Sequence, residues 1–253
     1  MSPSEPEVSV IMPAYNAHRT IKAAIESVRR QTFTDWELVI VDDCSSDGTR
    51  DLLKDAASAD PRLRLFFSDR NRGAAHARNT ALDLASGRYV AFLDSDDRWK
   101  PEKLQKQLQF MKTHRYAFTF TGYEYMRADG TIVGKYIRAP RRVGYRDMLK
   151  NTIVGCLTVM IDRELTGPLH MPDLRSRQDL ATWLALLKRG FIAYGLNENL
   201  AEYRLSGQQS VSGNKWNSAR KTWYVYRRIE HLPFIPSCWY FFHYAANAVR
   251  KRL

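Results

Sequence analysis

The chain has 253 residues, of which 44% are hydrophobic and 12% aromatic, enough for one large domain or for a domain with an extension. Its formal net charge of +12 indicates anionic partners, such as phosphorylated ligands, an anionic membrane face or nucleic acid. Three scattered cysteines exclude a disulfide framework, and the first residues lack the basic and apolar runs of a signal peptide, so the expected location is the cytoplasm.

The first part of the chain alternates short apolar strands with amphipathic helices. Strands are predicted over Val8–Met12, Trp36–Val41, Leu63–Phe67 and Tyr89–Leu93. Helices are predicted over Arg19–Gln31, Thr49–Ala57, Ala74–Leu84 and Glu102–Met111. This alternation is typical of a parallel sheet with crossover helices, so the predicted fold class is α/β.

The second part of the chain loses this regular alternation. Strands are predicted over Ala117–Thr121, Thr131–Val133, Cys156–Ile161, Phe191–Leu196 and Leu200–Arg204. Helices are predicted over Tyr145–Lys150 and Leu180–Gly190.

Polar side chains follow each predicted strand of the first part. In strand order they are Asn16, then Asp42 with Asp43, then Asn71, then Asp94, Asp96 and Asp97. The carboxyl ends of parallel strands share one edge of the sheet, where ligands of open α/β sheets bind. These side chains are therefore expected to be neighbours in space.

The fourth of these loops, Asp94-Ser95-Asp96-Asp97, has the densest negative charge. Asp94 and Asp96 are separated by one residue, so in an extended turn they can converge on one point. Carboxylate oxygens suit Mg²⁺ or Mn²⁺, and such a cation suits a diphosphate. A solvated acidic turn or a helix N-cap is the alternative. Neither GxGxxG nor GxxxxGK[ST] occurs, which argues against a usual dinucleotide-binding domain and against a P-loop.

Several blocks of sequence, taken together and in order, resemble the inverting family 2 glycosyltransferases of the GT-A fold. Those of the first part are Val8–Asn16, Gln31–Phe33, Val41–Thr49, Asn71–Gly73 with Ala77–Asn79, and Phe92–Asp97. Later blocks resemble bacterial teichuronic-acid, capsule and O-antigen transferases: Met171–Asp173, Arg177–Asp179 with Trp183, and Tyr203-Arg204.

The resemblance implies a domain plan. A Rossmann-like nucleotide-binding sheet, mostly parallel, would occupy residues 1–111. It would be fused to an acceptor-binding half that carries the catalytic base, residues 112–213. Residues 214–253 would form a basic, aromatic, helical C-terminal extension.

The resemblance also implies roles in binding the nucleotide-sugar donor. Asp43 would accept a hydrogen bond from the base, and Pro13 and Tyr15 would form the wall against which the base packs. The alternative for Asp43 and its neighbour Asp42 is capping of the helix that begins at Thr49. Arg78 would lie near the phosphates, although an arginine on an Ala-rich helix is as often simply solvated. The same comparison implies nucleotide binding by Asp94 and Ser95, and Mn²⁺ or Mg²⁺ binding by Asp96.

Asp179 matches the catalytic base of this family. Inversion at an anomeric carbon needs one carboxylate that deprotonates the acceptor hydroxyl as its oxygen attacks. The alternative is that Asp179 merely caps the helix that begins at Leu180.

A basic, hydroxyl-rich loop follows the last predicted strand. Arg204, Ser210, Ser212 and Lys215 are either folded over a diphosphate or part of a solvated loop.

The last segment, Leu232–Val249, is rich in aromatic residues and is followed by Arg250-Lys251-Arg252. Prolines and polar residues interrupt its apolar run, so a membrane-spanning helix is not predicted. An interfacial helix on an anionic membrane is one interpretation, and a helix packed on the catalytic domain or on another subunit is the other.

The resulting prediction is a metal-dependent inverting glycosyltransferase that uses a nucleotide-diphosphate sugar, with UDP preferred. The acceptor would be a lipid-linked saccharide at the inner face of the cell membrane. A nucleotidyltransferase, a non-catalytic nucleotide-sugar binder and a nucleic-acid-binding protein are the alternatives, although acidic side chains at the ligand edge disfavour nucleic acid.

Overall fold

The computed structural model describes residues 5–205 and 215–250, and ten strands in these ranges join one sheet. In chain order they are β1 Val8–Ala14, β2 Trp36–Asp42, β3 Leu63–Phe67, β4 Tyr89–Phe92, β5 Arg98–Trp99, β6 Phe118–Met126, β7 Ile132–Ile137, β8 Arg142–Val143, β9 Val159–Asp162 and β10 Ala193–Arg204.

Nine α-helices lie in the same described ranges. They are α1 Ile21–Arg29, α2 Thr49–Ala59, α3 Ala74–Leu84, α4 Lys103–His114, α5 Tyr145–Lys150, α6 Arg163–Thr166, α7 Gln178–Lys188, α8 Lys215–Tyr224 and α9 Phe234–Arg250. A 3₁₀ turn, Cys156–Thr158, precedes β9, and a π-helical turn, Val225–Ile229, follows α8.

The sheet order is β3-β2-β1-β4-β9-β6-β10-β5, with β7 beside β6 and β8 beside β10. The first four strands of this order are parallel, as their alternation with helices predicts. β9 then runs antiparallel to both of its neighbours, and β10 runs parallel to β6. The predicted α/β fold with a helical C-terminal part is confirmed.

Both faces of the sheet are covered, which explains why strands such as β1 and β2 are buried along their whole length. Alternate residues of β1 serve the two cores: Val10 faces α1, α2 and α4, while Ile11 faces α3, α5 and α7. The order in which strands are added to the sheet reverses between β1 and β4, because β2 and β3 lie on one side of β1 and β4 lies on the other. The carboxyl ends of β1 and β4 therefore border the crevice in which open α/β sheets bind ligands.

Helix α7 is fixed to the centre of the sheet by Trp183, which is fully buried. Its ring packs against Phe92 of β4 at a centroid distance of 5.5 Å and against Phe118 of β6 at 5.4 Å. Phe92 is the last residue of β4, so this contact brings the start of α7 to the end of that strand.

Several predicted boundaries were wrong. β1 does not end before Pro13, which pairs with Val41 inside the parallel ladder. The predicted strand from Cys156 begins with a 3₁₀ turn. The two strands predicted over Phe191–Leu196 and Leu200–Arg204 are one strand, β10. Its register with β6 shifts between Leu196 and Ala201. The polar residues at these register shifts are typical of a turn, so the sequence predicts a break in the strand there.

Helix α9 packs on α5 and on the core beneath it, as one of the two interpretations of this segment predicts. Among the helices in residues 5–205 and 215–250, none is long and apolar enough to cross a membrane.

Candidate functional site

The site is built at the carboxyl ends of β1 and β4. Pro13 is the second-to-last residue of β1 and pairs with Val41 of β2. Tyr15, which is half-exposed, is the first residue after the strand. The main-chain amide of Leu93 donates to the carbonyl of Ile11 at 3.1 Å, so the loop after β4 begins beside the end of β1. The predicted wall residues and the predicted acidic loop are therefore neighbours.

The loops after β1 and β2 are joined by side-chain hydrogen bonds to main-chain amides. The amide of Asn16 donates to Oγ of Ser45 at 2.9 Å, and the amide of Ser46 donates to Oδ1 of Asn16 at the same distance. The amide of Ala17 donates to Oγ1 of Thr49 at 2.8 Å. The two loops thus form one rigid wall beside Tyr15.

Asp43 is buried and holds the loop after β3. Its Oδ1 accepts the amide of Arg72 at 2.9 Å, and its Oδ2 accepts the amide of Gly73 at 2.7 Å. A carboxylate oxygen can accept more than one hydrogen bond, so these two contacts fix the carboxylate of Asp43 and leave acceptor capacity for a ligand. Gly73 has φ of 93°, a conformation in which a side chain would be strained.

Asp42 is hydrogen-bonded to its own loop and to the first turn of α2. Its Oδ1 accepts from Nε of Arg50 at 2.6 Å and from the amide of Ser45 at 3.1 Å. Neither Asp42 nor Asp43 caps α2, because the amide of Thr49 donates to Asp47 instead. Asp42 therefore braces the wall, whereas Asp43 holds the loop after β3.

Arg78 reaches the end of β4 from α3 and donates to Oδ1 of Asp94. Burial by itself would lower the pKa of Arg78, but the neighbouring carboxylate of Asp94 more than offsets burial, so the pKa is raised and the guanidinium is charged. Its Nε and Nη1 are buried and find no acceptor among the described residues. Arg78 is thus not a solvated helix residue, and it retains donors for an anion.

Asp96 lies between Asp94 and Asp97 in the acidic loop, and Ser95 is half-buried beside it. Burial, and next the charge of Asp94, raise the pKa of Asp96 above its usual range. Burial followed by the charges of Asp96 and Asp94 raises the pKa of Asp97 as well. A cation at this turn would relieve the unfavourable burial of these carboxylates.

Asp97 and Arg204 tie the acidic loop to the end of β10. The main-chain amide of Arg204 donates to Oδ1 of Asp97 at 2.8 Å, and Nε of Arg204 donates to the carbonyl of Asp96 at 2.6 Å. Nη1 of Arg204 donates to the carbonyl of Ala128 at 2.7 Å. Asp97 is therefore a structural acid, and carbonyl groups accept from Nε and Nη1 of Arg204, so a contact between Arg204 and a diphosphate stays a prediction.

The other members of that predicted loop cannot be compared in the same way. Ser210 and Ser212 lie outside the described residues, as does the side chain of Lys215.

Asp179 lies in the first turn of α7, two residues after the helix cap Arg177. No hydrogen bond joins its carboxylate to a main-chain amide in the part of the chain that the structure describes, so capping does not explain this acid. Trp183 follows one turn later on the same face and packs against Phe92. The charge of Asp179 also contributes to the raised pKa of Arg78, so its carboxylate lies near the pair of Arg78 and Asp94.

The sequence predicts no role for Asn79, and the structure supplies one. Its Nδ2 donates to the carbonyl of Met171 at 2.8 Å, and its Oδ1 accepts the amide of Met171 at 2.8 Å. The pair fixes the segment that leads to α7. Its neighbour Arg78 holds Asp94, so two consecutive residues of α3 position both halves of the site.

The donor set at the acidic loop fits a hard divalent cation. Mg²⁺ is commonly held by one or two carboxylates together with the phosphates of the substrate. Asp96 and the second oxygen of Asp94 can supply such ligands. Within residues 5–205 and 215–250, no group of three or more His, Cys, Asp or Glu side chains could hold a metal without such help.

Comparisons with known proteins identify the family of the chain. Residues 9–163 match the glycosyl transferase family 2. The chain is 58% identical over 249 residues to TuaG of Bacillus subtilis (strain 168), a glycosyltransferase assigned to teichuronic acid biosynthesis, with 98% of each chain covered. It is 41% identical over 245 residues to WfgD of Escherichia coli, a UDP-Glc:alpha-D-GlcNAc-diphosphoundecaprenol beta-1,3-glucosyltransferase, with 96% and 94% covered.

The fold also matches a solved structure. TarS 1–349 of S. aureus in complex with UDP-GlcNAc superposes with a TM-score of 0.70 at 20% sequence identity. The match covers 93% of this chain and 70% of the other. With most of its length matched by the family and by relatives of nearly equal length, the chain belongs to glycosyl transferase family 2 and is a glycosyltransferase.

Proposed function

We propose that this enzyme moves a sugar, with inversion and with the help of a divalent cation, from a UDP-sugar to a lipid-linked saccharide in the synthesis of a bacterial cell-surface polysaccharide. The observation that carries the proposal is the meeting of three groups at the end of β4. These are the acidic loop, the buried Arg78 with unused donors, and Asp179 on α7. The similarity to WfgD, whose acceptor is named as a diphosphoundecaprenol saccharide, supports the lipid-linked acceptor.

The nucleotide would be held by the first half of the site. Tyr15 and Pro13 offer an apolar wall for the base, and the fixed carboxylate of Asp43 offers an acceptor for a base N–H. The imide N–H of uracil is such a donor, which supports UDP. Asp94 and Ser95 would bind the ribose and donor-sugar region beside Arg78.

The diphosphate would lie between Arg78 and the acidic loop. The free Nε and Nη1 of Arg78 can donate to phosphate oxygens, and their charge offsets the negative charge that grows on the departing UDP. A cation held by Asp96 and Asp94, when bound, supplies further Lewis-acid neutralisation of that charge.

Asp179 would act on the acceptor side. Its carboxylate takes the proton of the acceptor hydroxyl while that oxygen attacks the anomeric carbon. The bond from that carbon to the diphosphate breaks on the opposite side, and the electron pair leaves with UDP. One displacement inverts the anomeric configuration, and no covalent enzyme intermediate is needed.

The lipid tail of such an acceptor remains in the bilayer. We therefore place the enzyme at the cytoplasmic face of the membrane, as a peripheral protein. A UDP-sugar sensor without activity would have no use for a base on the acceptor side, and a nucleotidyltransferase would release pyrophosphate rather than UDP.

The role of Asp179 is tested by Asp179→Asn. The amide cannot accept the hydroxyl proton, so we expect UDP release in the presence of acceptor to fall by roughly 10²–10⁴-fold. The thermal shift produced by UDP should stay unchanged. Asp173→Asn, which removes an exposed carboxylate six residues earlier, is the matched control and should leave turnover unaltered. Full turnover by Asp179→Asn would contradict the assignment.

The role of Asp96 is tested by metal removal and by Asp96→Asn. We expect EDTA to stop turnover and excess Mn²⁺ to restore it, and Asp96→Asn to lower turnover by at least about a hundredfold. Turnover that survives chelation would rule out the metal.

The same variant has a predicted effect on stability without ligands. A carboxyl whose pKa is raised in the folded state makes the free energy of unfolding fall as pH rises through that pKa. Asp96→Asn should therefore raise the melting temperature of the ligand-free protein at neutral pH, while the exposed Asp69→Asn should not. A lowered melting temperature would show that Asp96 is a stabilising acid.

The choice of base is tested by thermal shift with Mn²⁺ and different nucleotides. The ring N3 of uracil donates to a carboxylate, whereas that of cytosine repels it, so UDP should raise the melting temperature more than CDP. Asp43→Asn should reduce this difference. A larger shift with GDP or CDP than with UDP would contradict the assignment.

A further inference from the structure

Helix α9 has one face buried against the domain. Ser237 and Tyr244 are buried there, and Nδ2 of Asn247 donates to the carbonyl of Lys150 at 3.1 Å. Nη2 of Arg177, the residue that caps α7, donates to the hydroxyl of Tyr244 at 3.1 Å. The helix is thus attached to the segment that carries Asp179.

The opposite face of α9 is apolar and exposed. Ile235, Trp239 and Phe242 are 80%, 58% and 68% exposed, and Cys238 lies between them. Their spacing of three and four residues puts them in one stripe, which we call the outer stripe of α9. Large apolar side chains are rarely exposed together on a protein without a partner, so the stripe marks an interaction surface.

The charge around the outer stripe is almost entirely positive. From position 215 onward the sequence has eight Lys and Arg residues and one acid, Glu230. Glu230 is buried and accepts from Nζ of Lys188 at 3.2 Å, so it exposes no negative charge. Arg227 stands 5.9 Å from the ring of Phe234 at the start of α9, and Arg228 is exposed nearby.

Aromatic and aliphatic residues on one helix face, with basic residues at its ends, have the chemistry that binds an anionic lipid surface. The basic run Arg250-Lys251-Arg252 follows the stripe in the sequence. A second protein chain that covered this surface would need a complementary acidic and apolar face.

We propose that the outer stripe of α9, with the basic residues around it, binds the surface of an anionic membrane. The stripe enters the headgroup region, and the basic residues pair with lipid phosphates. That the acceptor is lipid-linked rests on the proposed function, whereas membrane binding by α9 requires no turnover. Because the inner face of α9 contacts Arg177, docking by the stripe would hold the Asp179 segment close to the lipid surface.

The test is sedimentation of the full chain with vesicles of phosphatidylcholine, with or without phosphatidylglycerol. We expect binding to the anionic vesicles that weakens as salt is raised. Trp239→Glu and Phe242→Glu should each weaken it by about tenfold or more, because a charge replaces an inserted apolar group. Leu165→Glu changes an apolar side chain of α6 with 50% exposure and should leave binding unaltered.

Several outcomes would overturn the proposal. These are no binding by the wild type, equal binding by the stripe variants, or a wild-type dimer in solution that the stripe variants dissociate. Circular dichroism confirms that the variants are folded. The thermal shift with UDP and Mn²⁺ reports the donor site separately: if vesicle binding follows the stripe while that shift is missing, the proposed function fails and the membrane surface stands.

Discussion

The ion pair between Arg78 and Asp94 is the contact on which the rest of the site depends. A buried guanidinium is costly unless it is paired and hydrogen-bonded, and here one carboxylate satisfies only part of it. The pair fixes the acidic loop to α3, and the adjacent Asn79 fixes the segment before α7 to the same helix. Nε and Nη1 of Arg78 have no acceptor in the described part of the chain, so the guanidinium could bind the diphosphate of the proposed donor.

The sheet explains why these groups meet. β1 and β4 are neighbours at the point where the crossover direction reverses, so the loops after them open on one crevice. Trp183 of α7 packs against Phe92, the last residue of β4, and this contact holds α7 beside the end of that strand. Arg78 and Asp179, which are far apart in the chain, are thereby brought close to one acidic turn.

Much of this could be predicted from local sequence. Strand–helix alternation, and polar residues at strand ends, give the first four strands and the edge that carries the site. The roles of Asn79 and Arg204 could not be predicted, because their partners lie 92 and 108 residues away in the chain. Arg204 has the residue type of a phosphate ligand, and only the carbonyl groups around it show that it braces Asp96 and Asp97.

A single carboxylate on the acceptor side is the central claim, and its most direct test is the anomeric configuration of the product. Proton NMR of the glycoside formed from an α-linked UDP-sugar distinguishes the two outcomes through the coupling of the anomeric proton. One displacement assisted by Asp179 predicts a β-glycoside. An α-glycoside would contradict the account, because retention would require a second displacement or a different reaction face.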